Sequence, residues 1–155
     1  MATAKKMTLS SWLTAAAFVV GLVGLILYFV NASTGYFKGN TSTGLVVSAI
    51  IGLIAAILVV VLSLSGNNNK VVSVLRDALK IAAPVLLLLA LFYFVATRME
   101  GLAYIYGSNS DILATIQTPE NLASTYVAIA GFVLFGIAAI VGIVAAFFGA
   151  AKKED

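Results

Sequence analysis

Few side chains in this sequence have the chemistry for catalysis, and the one that stands out is a single arginine. The chain contains no histidine and no cysteine, so it lacks the commonest general base and the thiolate ligands of metal sites. Arg98 follows an uncharged run, and the carboxylates Glu100, Asp111 and Glu120 come after it. Scattered acids without a neighbouring base do not activate a nucleophile. We therefore expect no enzyme activity, no cofactor and no metal site.

Two interpretations of Arg98 are open. In the first, its guanidinium forms an ion pair with Glu100, Asp111 or Glu120 and fixes the surrounding loop as a binding cap. In the second, its long side chain extends to the membrane interface and anchors the helix there. An ion pair predicts that reversing the charge of Arg98 is rescued by reversing one of the three acids.

Arg98 and the three acids lie between two long uncharged runs, at residues 81–97 and 121–151. Hydrophobic residues make up 62% of the 155 residues and charged residues 10%, whereas a soluble domain carries ~25% charged residues. Four runs contain no charge, at residues 7–37, 39–69, 81–97 and 121–151. A helix needs roughly 20 apolar residues to cross the hydrocarbon core. We predict an all-α transmembrane four-helix bundle with spans at about 11–31, 45–65, 81–100 and 122–149.

The first apolar run also fits a secretory signal, because Lys5 and Lys6 precede it and cleavage after Ala32 is conceivable. The run is about 19 residues long, whereas the apolar region of a signal has ~7–15 residues. We therefore predict that this segment is a retained membrane helix.

Lysine and arginine are distributed unevenly between the two sides of the predicted membrane. One side holds Lys5, Lys6, Lys70, Arg76, Lys80, Lys152 and Lys153, and the other holds Lys38 and Arg98. Cationic residues near the spans are retained in the cytoplasm. We predict a multi-pass protein of the cell membrane with both termini in the cytoplasm. Anionic lipid headgroups account for the net charge of +3, so no nucleic acid is expected as a partner.

A short cytoplasmic link joins the second and third spans. Asn69 is predicted to cap an amphipathic helix at about 70–79. One face of this helix carries Val71, Val74, Leu75 and Ala78. Such a helix either rests in the headgroup layer or docks a cytoplasmic partner. Pro84 then either opens the third span as a first-turn residue or kinks a longer helix.

The longest segment outside the predicted membrane, at about 101–121, is expected to form an outer cap. Ser110 and Asp111 are placed to cap a short helix. Thr118 and Pro119 are typical of a helix start, since threonine is a good N-cap and proline suits the first helical position. The fourth span should therefore begin above the membrane.

Small residues at helical spacing predict where the membrane helices approach closely. They are Ala17, Gly21 and Gly24 in the first span, Ser48, Gly52 and Ala56 in the second, and Ala128, Gly131, Ala138, Gly142 and Ala145 in the fourth. These stripes either hold the bundle together or, on the fourth helix, contact another subunit.

The strings RMEGLAYIYGSN at residues 98–109 and QTPENLA at residues 117–123 resemble the outer loop of small four-span membrane proteins of Gram-positive bacteria. The resemblance implies a four-span membrane protein. It implies no activity, because none is assigned to those proteins.

Three function classes are compatible with this sequence. The first is a non-catalytic accessory or structural subunit of a larger membrane assembly, with the lipid bilayer and other membrane subunits as partners. The second is a homo-oligomeric channel or uncoupled small-solute transporter, whose pore would be lined by Thr14, Ser48 and Ser63. The third is a receptor on the outer face that would use Arg98, Tyr104 and Tyr106.

Overall fold

A computed structural model describes residues 7–67 and 69–148 of the chain. The helices are α1 (Leu9–Ser33), a short 3₁₀ turn (Gly35–Phe37), α2 (Thr43–Leu64), α3 (Lys70–Gly107), α4 (Ser110–Ile116) and α5 (Pro119–Phe147). The four lysines nearest the termini, Lys5, Lys6, Lys152 and Lys153, lie outside the described residues, as does Gly149 at the end of the predicted fourth span.

The predicted all-α four-helix architecture is confirmed. Helices α1, α2, α3 and α5 are each long and apolar enough to cross a membrane. Their outward faces expose large apolar side chains, among them Trp12, Ile54, Phe92 and Ile140. A folded chain presents such a surface on every side only when the surrounding solvent is itself apolar, so these faces are suited to lipid.

The long helices form a four-membered ring in which α1 and α3 each contact both α2 and α5. Neighbours run antiparallel. Ser10 near the start of α1 bonds Ala145 near the end of α5, whereas Asn31 at the other end of α1 bonds Ser124 near the start of α5. We call the end that holds the 3₁₀ turn and α4 the cap end. The opposite end, where α1 begins and α5 finishes, is the terminus end.

The predicted separation of an amphipathic helix at 70–79 from a third span at 81–100 is wrong. Both belong to the single 38-residue helix α3, which also continues to Gly107 and takes in the first part of the predicted cap. At 1.5 Å per residue this helix is about 57 Å long, well beyond a hydrocarbon core of ~30 Å. Pro84 lies inside it. The Pro84 ring packs against Gly142 of α5, where a β-carbon would lie 3.0 Å from the ring.

The first three turns of α3 carry the predicted apolar face, and the lysine at their end is buried. Val71, Val74 and Leu75 are 72%, 63% and 50% exposed, so the apolar stripe is uncovered. Lys80 is buried, and its ammonium donates to the carbonyl of Phe148 just past the end of α5. A lysine in this position satisfies an orphan carbonyl and complements the helix dipole.

Helix starts follow the capping rules. Asn69 caps α3 by accepting from the amide of Val71, and Thr118 caps α5 by accepting from the amide of Asn121. Both caps confirm the expectation from sequence. Asn109, not Ser110, caps α4, and Ser110 is instead the first residue of that helix. Asn109 reaches the amide of Ile112, the usual partner of an N-cap side chain.

The structure buries all eleven of the predicted packing residues. These are Ala17, Gly21, Gly24, Ser48, Gly52, Ala56, Ala128, Gly131, Ala138, Gly142 and Ala145. Gly24 receives the ring of Phe135, and Gly131 receives the ring of Phe94. Close approach at these glycines lets large aromatic side chains fill the interior between the helices.

Candidate functional site: a buried arginine at the cap end

Arg98 lies in the interior of the bundle near the cap end and is fully buried. Three aromatic rings surround its guanidinium. The guanidinium carbon lies 5.0 Å from the ring centre of Phe37, 5.4 Å from that of Tyr28 and 5.7 Å from that of Phe94. Cations at such distances from ring faces are attracted by the ring quadrupole, and more strongly when water is excluded.

Two of the three guanidinium nitrogens of Arg98 donate hydrogen bonds to neutral oxygens. Nε donates to Oδ1 of Asn31 over 2.6 Å, and Nη2 donates to the backbone carbonyl of Asn40 over 2.7 Å. Among the described residues, no acceptor lies within hydrogen-bond distance of the buried Nη1. The charge is thus held by three aromatic rings, a side-chain amide and a backbone carbonyl. Nη1 remains a buried donor without an acceptor in the described part of the chain.

Both sequence-based interpretations of Arg98 are wrong. The guanidinium does not hydrogen-bond Glu100, Asp111 or Glu120, and all three carboxylates are exposed. A fully buried side chain is not an interfacial anchor either. The cause is helical geometry. Arg98 shares the inward face of α3 with Phe94 at i−4, whereas Glu100 at i+2 projects to the opposite side.

Glu120 has a different role from the one predicted. Its Oε1 accepts a hydrogen bond of 3.2 Å from the amide of Gly35 in the 3₁₀ turn. Gly35 has a φ of +57°, which favours glycine, and a β-carbon there would lie 2.6 Å from that of Ser124. The start of α5 therefore packs directly against the 3₁₀ turn.

Asn31 connects the arginine to α5. While its Oδ1 accepts from Arg98, its Nδ2 donates to the backbone carbonyl of Ser124 over 2.7 Å and lies 3.2 Å from Oγ of the same residue. Ser124 Oγ in turn donates to the carbonyl of Thr34 over 2.9 Å. One buried amide thus joins α1, α3 and α5 in a single polar network.

Tyr28 connects the same cluster to the start of α2. It is fully buried, and its ring meets that of Phe94 edge to face with 5.0 Å between ring centres. Its hydroxyl accepts a hydrogen bond from the amide of Ser42, the residue that caps α2. Tyr28 lies one helical turn before Asn31, so both side chains project from the same face of α1.

Sequence reasoning missed the partners of Arg98. The available signal was spacing: Tyr28 and Asn31 are three residues apart near the end of an apolar helix, and Phe94 is one turn before Arg98. Each pair places one aromatic and one polar side chain on the same face of a helix, the first pair on α1 and the second on α3. Both faces are expected at the same depth in the membrane. Asn40, which contributes only its backbone carbonyl, leaves no such signal.

The groups around Arg98 are suited to holding a charge in the interior of the bundle. They do not include a nucleophile next to a base. Among the described residues, no group of three acids, histidines or cysteines is placed to hold a metal ion. Tyr104 and Tyr106 lie on the exposed side of the cap, where Tyr106 bonds the hydroxyl of Thr125 over 3.0 Å. They do not contact the guanidinium, so the receptor site predicted from Arg98, Tyr104 and Tyr106 is not assembled.

Three further hydroxyls bond backbone carbonyls one turn earlier, as expected for serine and threonine in membrane helices. Thr14 donates to Ser10, Ser48 to Gly44, and Ser63 to Val59. Ser10 differs, because its hydroxyl donates across the interface to Ala145 of α5 over 2.9 Å.

Comparison with known proteins adds no family to this description. No protein-family model, no curated protein and no solved structure matches the chain.

Proposed function

We propose that this chain is a non-catalytic membrane protein that serves as an accessory or structural subunit of a larger membrane assembly. The observation that carries the proposal is the use made of the interior polar groups. Arg98, Asn31 and Ser124 tie three helices and the 3₁₀ turn together, and Ser10 ties α1 to α5. Polar groups used in this way stabilise the bundle, which leaves its outer surface to perform the function.

The surface at the terminus end supports the same proposal. The exposed stripe of Val71, Val74 and Leu75 continues into the outward face of α3 at Ile81 and Val85. An uncovered apolar face beside charged residues suits either the headgroup layer or another membrane subunit.

The channel alternative has less support. Its pore would be lined by hydroxyls from several copies, but Thr14 and Ser48 are only 5% and 4% exposed and face the interior of a single bundle. Ser63 is partly exposed, and its hydroxyl is bonded to the carbonyl of Val59. Two of the three predicted pore residues therefore point away from any neighbouring copy.

Copurification tests the accessory role. The tagged chain is extracted from its native membrane in mild detergent, and we expect a different chain at a fixed stoichiometry. The variant Val71→Ala/Val74→Ala/Leu75→Ala should lose that partner if the stripe contacts it. The matched variant Leu22→Ala/Val23→Ala/Ile26→Ala, on the exposed face of α1, should retain it. A symmetric self-assembly that conducts ions in liposomes would overturn the proposal.

The proposal places both termini in the cytoplasm and the chain in the cell membrane. Because the sequence has no cysteine, an introduced cysteine is a unique label. Ala114→Cys in α4 and Asp77→Cys in the first part of α3 are both at exposed positions. A membrane-impermeant maleimide should label the first in intact cells and the second only after permeabilisation. The opposite pattern would invert the topology.

A further inference from the structure

We propose that Arg98, Tyr28 and the start of α2 form a binding site for a small monovalent inorganic anion of the halide type. The proposal is independent of the accessory role, since it concerns the inside of the cap end and needs no partner subunit.

The first observation is the excess of donors around the guanidinium of Arg98. Nη1 is buried and has no acceptor among the described residues. The Tyr28 hydroxyl already accepts from the amide of Ser42, so its own proton is available to donate, and no described residue takes it. Buried donors are nearly always paired. The unpaired Nη1 calls for an acceptor from outside the chain, and the Tyr28 hydroxyl is a second donor in the same cluster.

The second observation is the position of α2. The guanidinium bonds the carbonyl of Asn40, two residues before the cap of α2, and it lies over the ring of Tyr28, whose hydroxyl touches the cap itself. Arg98 therefore adjoins the N-terminus of a 22-residue helix. First-turn amides and the positive end of the helix dipole favour an anion at this place.

The third observation is the uncompensated charge. The oxygens that accept from Arg98 belong to an amide and a backbone carbonyl, and a guanidinium stays protonated in proteins. A buried cation without a counter-charge is strongly unfavourable. A bound monovalent anion would neutralise it.

The site is close to water. Residues 38–41, which include the Asn40 carbonyl that accepts from Arg98, are all exposed. We expect an ion from solution to reach the guanidinium past this segment. Lys38, which is exposed in the same segment, adds a positive charge near the route and makes a matched control.

The test measures the thermal unfolding midpoint of the purified full chain in detergent, with sodium chloride titrated against sodium gluconate at constant ionic strength. We expect a saturable stabilisation by chloride. Tyr28→Phe should weaken the apparent affinity roughly tenfold, the effect of losing one hydrogen bond to a charged group. Arg98→Gln should abolish the response, and Lys38→Gln should leave it unchanged.

A bromide-soaked crystal provides a second readout that does not depend on how the variants fold. Anomalous scattering should place bromide within hydrogen-bond distance of Nη1 of Arg98 and the Tyr28 hydroxyl. Equal stability in chloride and gluconate, together with no bromide at this position, would show that water is the acceptor and overturn the proposal. An anion response retained in Arg98→Gln would overturn it as well.

Discussion

Nε of Arg98 donates a 2.6 Å hydrogen bond to Oδ1 of Asn31, and through this bond the buried charge of α3 is held by the end of α1. The other end of the same amide bonds Ser124 of α5. Three of the four long helices thus meet at one side chain, which makes Asn31 the most consequential polar residue of the cap end.

Replacing Asn31 with alanine should therefore destabilise the fold strongly. The substitution leaves Nε of Arg98 and the carbonyl of Ser124 buried without their partner, and we expect a loss of about 3 kcal/mol. Thermal or denaturant unfolding in detergent measures it. Asn40→Ala is the matched control, because Asn40 bonds Arg98 through its backbone carbonyl and its side chain is dispensable for that contact. Equal losses in the two variants would contradict the assigned role of the amide.

Charge reversal at Arg98 should not be rescued by a second reversal. Arg98→Glu places a carboxylate among aromatic ring faces and acceptor oxygens, both of which repel it. Because Glu100, Asp111 and Glu120 are exposed and do not bond Arg98, changing any one of them to arginine should restore neither folding nor yield. The measurement is the folded fraction by size-exclusion chromatography of each double variant. If arginine at one of these three positions restored folding, the ion-pair interpretation of Arg98 would be supported.

Gly131→Ala should destabilise the bundle, because the added β-carbon would lie 2.5 Å from Cε1 of Phe94. Displacing a ring that also lies against Arg98 should cost about 1–3 kcal/mol. Gly136→Ala on the same helix is the control. Its β-carbon would meet nothing nearer than Cδ2 of Leu91 at 3.8 Å, so the better helix propensity of alanine should leave stability unchanged or raise it by ~0.5–1 kcal/mol. Unfolding midpoints of the pair decide the matter, and a more stable Gly131→Ala variant would refute the packing argument.

Two glycines in the segment between α1 and α2 separate backbone strain from steric exclusion. Gly35 and Gly39 both have positive φ, at +57° and +80°. A β-carbon at Gly35 would meet Ser124 at 2.6 Å, whereas one at Gly39 would meet nothing within 4 Å. Gly39→Ala should lose about 1 kcal/mol from backbone strain alone. Gly35→Ala should lose clearly more, as read from the difference in unfolding free energy, and equal losses would mean that the 3₁₀ turn is not fixed against α5.

The architecture could be predicted from the sequence because a bilayer permits few backbone structures. An uncharged run of the length of 121–151 has to be a helix, and a glycine such as Gly131 has to face another helix to be useful. The caps at Asn69 and Thr118 were also predictable, because capping depends on residues close in the chain.

The environment of Arg98 was not predictable in the same way. Its partners come from α1 and from a loop carbonyl, and which side chains meet depends on how three helices rotate about their axes. Charge alone suggested the acids Glu100, Asp111 and Glu120, since an arginine is expected to seek a carboxylate. The side-chain partners of Arg98 are instead three aromatic rings and the amide of Asn31. The spacing of the three acids in the sequence did not exclude these partners. The sequence left the continuity of α3 open, because Pro84 is typical of helix boundaries and is also found inside helices. It lies in mid-helix beside Gly142.

The length of α3 has a mechanical consequence. The helix is longer than the hydrocarbon core is thick, so one unbroken element joins the terminus end to the cap end. Its middle packs closely on α5, where Phe94 lies against Gly131 and Pro84 lies against Gly142. Its cap end packs closely as well, because Gly101 lies against the ring of Phe37. A displacement at Val71 therefore meets no loop that could absorb it before these contacts.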